Sequence, residues 1–225
     1  MKVAVSWSGG MESALACYKA SKEGYDIRYL VVFVAEKWPS FCHPLPIMEL
    51  QAKSIGIPLL KLQVKEPFEQ SYRDAIKKLI EKGIKGIITG DIYVVDDLHG
   101  RWMDKVTAGV DISVIMPLWE QDTTKVLNEE ITSGFRSVFT CLGQQWFTKE
   151  WLGRELNQTT FNELKTLAKE KGMDPCGENG EYHTMTIDGP NFKETINIFN
   201  FSKEESNDRL FIKIKEYSSK NKNVL

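Results

Sequence analysis

Over its first 92 residues the chain alternates short apolar, β-branched runs with amphipathic stretches, a pattern that a layered α/β fold satisfies and few others do. The runs at 2–7, 27–35, 57–64 and 84–92 ("KVAVSW", "IRYLVVFVA", "IPLLKLQV", "IKGIITGDI") predict strands buried on both faces. The stretches at 12–22, 46–56 and 68–83 predict helices. The last is the clearest, with Tyr72, Ala75, Ile76, Leu79 and Ile80 at three- and four-residue spacing. Strands separated by helices imply a parallel sheet with right-handed crossovers. Such sheets bind ligands at the carboxyl ends of their strands, near the point where strand order reverses. Ser8-Gly9-Gly10 and Gly90-Asp91 both fall at such ends.

After residue 92 the texture changes. "DDLHGRWMDKV" is polar and helical, 113–119 reads as a strand, 123–134 as a helix stopped by Gly134, 136–143 as a strand and 159–172 as a helix ending at Gly172. Residues 191–217 suit strands, and 218–225 read as a frayed polar tail. The expected architecture is a Rossmann-like parallel-sheet domain over 1–110, followed by a smaller α+β domain over 111–225.

Several classes of function are disfavoured. Lys and Arg number 29 against 31 Asp and Glu, a net charge of -2, so no basic surface recommends nucleic acid as the main partner. No apolar run reaches the roughly 20 residues that span a bilayer. Cys17, Cys42, Cys141 and Cys176 are widely spaced and form no CxxC pair, which fits reduced thiols rather than a disulfide framework or zinc knuckle. "MKVAVSW" has no signal-peptide character, so a cytoplasmic protein is expected.

The segment "VAVSWSGGMES" (3–13) carries the first chemistry. A strand, then Ser-Gly-Gly, then a helix start offers inward-pointing backbone N–H groups, close backbone approach and the positive end of a helix dipole. Ser8 and Ser13 add hydroxyl donors. The pattern is neither GxGxxG nor GxxxxGK[ST], which disfavours a plain dinucleotide fold and a P-loop NTPase. A tight strand-to-helix turn with no ligand is the competing reading. Glu12, in the first helical turn, suits the dipole whether or not it meets a metal.

Strand–SGG-x-acid-S–helix close to the N-terminus resembles the PP-loop of the ATP pyrophosphatases over about the first 95 residues. A second motif, "CGENGEYHT" (176–184), is similar to the CGEGGEYHT-like signature of the diphthine–ammonia ligase family. "FCHP" (41–44), Gln51 with "GIPL" (56–59), "GDI" (90–92), "RWMDKV" (101–106), "PLW" (117–119) and "WLGREL" (151–156) follow the family's order, so the likeness runs over about residues 1–195. The sequence departs from it at two places. Met11 stands where PP-loops often carry Lys, with Glu12 in place of Asp, and Asn179 stands where the family often has Gly. Backbone amides can hold phosphate without a lysine, so Met11 is expected to pack or cover the site, and Met11→Lys to preserve or raise turnover. Asn tolerates left-handed backbone geometry better than most residues, so the turn is expected to survive Asn179.

The resemblance implies a Rossmann-like fold of the adenine nucleotide α hydrolase type. It also implies an enzyme that uses ATP and Mg2+ to adenylate a carboxylate, releases pyrophosphate, and transfers ammonia to give an amide, with diphthine on translation elongation factor 2 as substrate. Carried over residue by residue, Ser8, Glu12 and Ser13 would be catalytic, with Glu12 a possible Mg2+ contact. Ser6, Ser8, Gly9, Gly10, Met11, Glu12, Ser13, Gly90 and Asp91 would hold the nucleotide. His43, Arg101, Glu178, Asn179, Gly180, Glu181, Tyr182, His183 and Thr184 would face the substrate. A homodimer, no membrane and no direct nucleic-acid partner are expected. Two other readings stay open: a PP-loop paralogue acting on another small molecule or tRNA, and a non-catalytic ATP- or AMP-binding module. Without the family likeness, the second motif also fits a hydrogen-bonded structural turn with His183 in the core.

Overall fold

The computed structural model describes residues 1–36, 42–94 and 101–222. The chain forms two compact units with interleaved segments: Met1–Ser8, Glu12–Trp38 and Ile57–Glu120 make the first, and Gly9–Met11, Pro39–Gly56 and Gln121–Leu225 the second.

In chain order the elements up to residue 115 are β1 (Lys2–Ser6), α1 (Met11–Lys22), β2 (Asp26–Ala35), α2 (Leu45–Ile55, in the second unit), β3 (Leu59–Val64), α3 (Phe68–Glu81), β4 (Gly86–Ile88), α4 (Trp102–Thr107) and β5 (Ser113–Ile115). The five strands of the first unit form a wholly parallel sheet in the order β3-β2-β1-β4-β5. This order reverses between β1 and β4, the ligand-binding switch point of open α/β sheets. Val3, Ala4 and Val5 of β1 are fully buried, as are Ile87 and Ile88 of β4, which is why these strands read as unbroken apolar runs.

The core on one side of this sheet gathers Ala4, Val31, Phe33, Leu62 and Ile87 against Ala75, Ile76 and Leu79 of α3 and Met103 and Val106 of α4. Tyr72 stacks on Phe33 at 4.6 Å and meets the edge of Trp102 at 5.5 Å. Arg73 reaches from α3 to donate to the carbonyls of Lys105 and Ala108, both at 2.8 Å, and so satisfies the C-terminal end of α4. The sheet runs past the expected boundary at 110, because Ser113–Ile115 pair with Gly86–Ile88 and close the edge. The 113–119 run gives only a three-residue strand: the chain turns at Pro117, which has no N–H for a ladder. Residues 96–100 of the "DDLHGR" stretch, and Phe41 of "FCHP", lie outside the described residues.

The second unit continues with α5 (Thr123–Thr132), β6 (Arg136–Gly143), α6 (Gln158–Lys171), β7 (Tyr182–Asp188), β8 (Glu194–Ser206) and β9 (Arg209–Asn221). Its sheet is antiparallel, in the order β7-β6-β9-β8. Asp122 caps α5 by accepting from the Lys125 N–H. Asn157 and Thr160 form a reciprocal capping box on α6, and left-handed Gly172 ends it. The expected tail is corrected in part: residues 218–221 belong to β9. Ser218, Ser219, Lys220 and Asn221 pair with Asn197, Ile196, Thr195 and Glu194, so the partner strand orders a segment whose composition alone gives it no apolar face.

Leu79→Ala empties a fully buried site between α3 and the sheet and should cost about 2–5 kcal/mol in urea unfolding. Lys85→Ala, which removes an exposed pair with Asp111, should stay within about 1 kcal/mol.

Candidate active site

The Ser-Gly-Gly loop leaves β1 at the switch point and enters α1 at Met11. Gly9 adopts φ +79°, the left-handed region that glycine reaches without strain. A Cβ there would also lie 2.7 Å from Gln51 Oε1. Ser8 Oγ donates to Ser13 Oγ at 3.1 Å, tying the loop to the first turn of the helix. Glu12, half-buried in that turn, faces the favourable end of the helix dipole, with Lys19 and Lys22 at the other end.

Gly90, after β4, comes against this turn. A Cβ on it would lie 2.8 Å from the Glu12 carbonyl carbon and 2.9 Å from the Ser13 nitrogen. The "GDI" turn and the loop therefore pack backbone to backbone, and Asp91 beside them is exposed. Ser6 and Ser8 are half-buried, and Ser13 is buried.

The loop's carbonyl side is occupied. Gly9 O accepts from the Thr186 N–H at 2.9 Å and from Gln51 Nε2 at 2.9 Å. Met11 N donates to Thr184 Oγ1 at 3.2 Å. Residues 9–11 thus lie along β7, the strand that carries the end of "CGENGEYHT", and the two sequence motifs are joined by hydrogen bonds. The Met11 amide is consequently turned to Thr184 rather than inward. Its side chain is only 1% exposed, so it packs, as expected of a position without lysine.

The segment 174–181 is held by its own bonds. Glu181, 1% exposed, accepts from the Asp174 N–H at 2.7 Å and from Asn179 Nδ2 at 3.3 Å through one carboxylate oxygen. Asp174 accepts from the Cys176 N–H at 2.7 Å, Tyr182 OH donates to Pro175 O at 2.5 Å, and Arg209 donates to Gly180 O. Gly177 and Gly180 take the left-handed conformations, whereas Asn179 does not. The asparagine is tolerated because the turn needs glycine at its neighbours, and its amide instead donates to Glu181. Glu178 is half-buried and Asn179 exposed. Tyr182 and Thr184 are buried.

His43 and His183 meet edge to face at 5.1 Å. Burial first, then the His43 ring and the Arg209 guanidinium, push the His183 pKa down to about 3, so its imidazole is neutral at physiological pH. Arg101 pairs with Asp104 and lies over Trp119 at 5.0 Å, as an ordinary helix-end arginine does.

Sequence reasoning missed a buried polar chain behind β7. Thr186 Oγ1 and Ser137 Oγ are 3.0 Å apart, and Ser137 Oγ donates to Glu130 Oε1 at 2.5 Å. Glu130, 2% exposed, sits on α5 with its pKa pushed up by burial to about 8, against the opposing effect of the Ser137 bond. Its only sequence signal is an acid on the apolar side of a helix, beside Val126 and Leu127 in the buried set.

Two outcomes follow for stability. The unfolded chain releases the Glu130 proton near the ordinary value of about 4.3. Between that pH and about 8 the folded protein holds a proton the unfolded chain has lost, so stability falls as pH rises through the window. Glu130→Gln removes this titration, and its melting temperature relative to the parent should climb by several degrees from pH 5 to pH 8. A difference that stays flat with pH would contradict the assignment. Met11→Lys places an ammonium in buried space, so the melting temperature should drop and, contrary to the sequence expectation, turnover should not gain.

The family model for the diphthamide synthase N-terminal domain matches residues 1–113, and that for the diphthamide synthase C-terminal domain matches residues 122–220. The chain is 29% identical to the diphthine–ammonia ligase of Schizosaccharomyces pombe over 59% of this chain and 22% of that protein. It is 25% identical to the ligase of Mus musculus over 87% of this chain and 82% of the relative, and 25% identical to that of Homo sapiens over 66% and 61%. The matches thus span about a fifth to four fifths of the relatives' own lengths. A solved structure described as a predicted subunit of tRNA methyltransferase from Methanocaldococcus jannaschii aligns with a TM-score of 0.47 at 17% identity, covering 84% of this chain and 98% of that one, too slight a likeness to argue from. With both domain models matched in order and both signature segments hydrogen-bonded to each other, the chain belongs to the diphthamide synthase family.

Proposed function

We propose that this protein is an ATP-dependent, amide-forming ligase acting on diphthine. The observation that carries the reading is the Ser-Gly-Gly loop, turned by left-handed Gly9 and bonded to the signature strand, in a chain that matches both family domains. A substrate carboxylate oxygen attacks the α-phosphorus of ATP, the bond to the β-phosphate bridge breaks, and pyrophosphate leaves. Ammonia then attacks the acyl carbon and loses a proton, and AMP departs with its electron pair. The protein's share is positioning and charge stabilisation.

Ser8, Glu12 and Ser13 act at the phosphates. Ser6, Gly9, Gly10, the Met11 backbone, Gly90 and Asp91 shape the nucleotide site. Glu12 would help hold a Mg2+ ion, which would supply charge neutralisation at the phosphates. Among the described residues no group of three His, Cys, Asp or Glu is set to hold a metal ion. Glu178 and Asn179 offer the accessible polar groups of the second motif, with Gly180, Glu181, Tyr182 and Thr184 holding its shape. His43, His183 and Arg101 complete the substrate side. A carboxylate suits the quaternary ammonium of diphthine. Translation elongation factor 2 is the proposed protein substrate, free ammonium the nitrogen source, a homodimer the assembly and the cytoplasm the compartment. No helix among the described residues is long and apolar enough to cross a membrane.

With ATP, ammonium and diphthine-bearing elongation factor 2, the protein should release AMP and pyrophosphate in equal amounts and convert the carboxylate to an amide, read by mass spectrometry. Release of ADP and phosphate would overturn the mechanism. Gly90→Ala, which forces a methyl against the Glu12–Ser13 backbone, should lower pyrophosphate release at least about tenfold.

A further inference from the structure

The Gly9 carbonyl is the loop's most constrained group. It accepts two N–H donors, Thr186 N and Gln51 Nε2, and so has both lone pairs engaged. Gln51 lies on α2 and is fully buried. Its Nε2 donates twice, to Gly9 O at 2.9 Å and to Thr186 O at 2.7 Å. Both acceptors are carbonyls, so only the amide nitrogen can face them and the orientation of the side chain is settled by chemistry.

A trans peptide is rigid, with C=O and the following N–H pointing opposite ways. Holding the Gly9 carbonyl against β7 therefore turns the Gly10 N–H away from β7. That amide is next to the start of α1, where an anion is favoured. The two carbonyl partners of the Gln51 Nε2 are 42 and 135 residues away in sequence, so these two bonds serve the loop and β7.

We propose that Gln51 is a positioning residue for the nucleotide phosphates: by pinning the Gly9 carbonyl to β7 it fixes the peptide plane that presents the Gly10 N–H. The inference rests on the reading of the loop as a phosphate site. Gln51 itself touches no phosphate. Thr186 supports it from the strand side, and its hydroxyl is in turn anchored through Ser137 to Glu130. The same arrangement accounts for glycine at position 9, where a side chain would collide with the Gln51 amide.

Two variants separate positioning from plain stability. Gln51→Met keeps the length and loses both donors. Gln51→Glu keeps the shape and, once ionised, turns carboxylate oxygens on two carbonyls. MgATP affinity is measured by calorimetry on folded protein, and the Gly10 amide is followed by 15N NMR without nucleotide. Dissociation constants should rise about tenfold for Gln51→Met and further for Gln51→Glu, with the Gly10 resonance shifted in both. If Gln51→Glu fails to fold, Gln51→Met carries the test alone. Folded Gln51→Met that binds MgATP within twofold of the parent, with an unmoved Gly10 signal, would overturn the proposal while leaving the nucleotide site standing. Parent protein that binds no MgATP would overturn the reading of the site itself, and this inference with it.

Discussion

The attachment of residues 9–11 to β7 is the constraint on which the candidate site depends. A glycine loop is free to take many conformations, and that freedom is lost on folding at a cost of about 1–2 kcal/mol per residue. Here the loss is offset locally: the Gly9 carbonyl takes two donors and the Met11 N–H a third partner, all from side chains or backbone already ordered by α2 and β7. The loop is thereby made an extra edge on the signature strand rather than a loose span between β1 and α1. Gly9 is needed twice over, for its positive φ and for the missing Cβ beside Gln51. Gly90 is needed only for the second kind of reason, since its hydrogen faces the backbone of Glu12 and Ser13.

The second motif obeys the same economy. Its carboxylates, hydroxyls and aromatic ring look like a collection of ligand groups when read as letters. In the fold, Glu181 and Tyr182 fasten the turn, Asp174 closes it, and Thr184 reaches across to Met11. Most of the polar atoms are spent on holding the backbone in place, which leaves Glu178 and Asn179 as the accessible ones. Buried polarity of this kind costs free energy unless each group finds a partner. The rise of the Glu130 pKa shows how the cost is met where a carboxyl has a hydroxyl partner and no cation: it stays protonated.

What was legible in the sequence follows from the range of the interactions involved. Period-two and period-3.6 patterns are local, so β1, β2, β3 and α3 could be read to within about two residues, whereas β4 and β5 are much shorter than the apolar runs that predicted them. Glycine and acid positions around 9–12, 90 and 176–184 were legible because turns and helix starts are written in adjacent residues. Gln51 was visible only as part of a motif, with no hint of its task, because its partners lie far along the chain. Ser137 and Thr186 were invisible for the same reason. The end of β9 was misread because polar residues 218–221 owe their order to β8 and not to their own pattern. The turn survives Asn179 for a reason its letters did not show: no left-handed conformation is needed there, and the side-chain amide bonds Glu181.

Under the proposed phosphate site, the departure at Met11 has a physical meaning. A lysine at such a loop contributes a point charge whose effect is long-ranged and weakened by salt and water. Oriented backbone amides contribute a fixed, short-ranged field that needs no reorganisation when a phosphate arrives. The second kind of attraction requires the peptide planes to be set in advance, and the bonds from Thr186 and Gln51 to the Gly9 carbonyl set one of them. A methionine with its side chain buried adds to the same rigidity from below, by filling space that a charged group could occupy only at the expense of its hydration. On the proposed reading of the loop as a phosphate site, preorganised amides stand in for a lysine's charge, and the donors that hold the loop come from a helix and a strand that neither contain nor adjoin it in sequence.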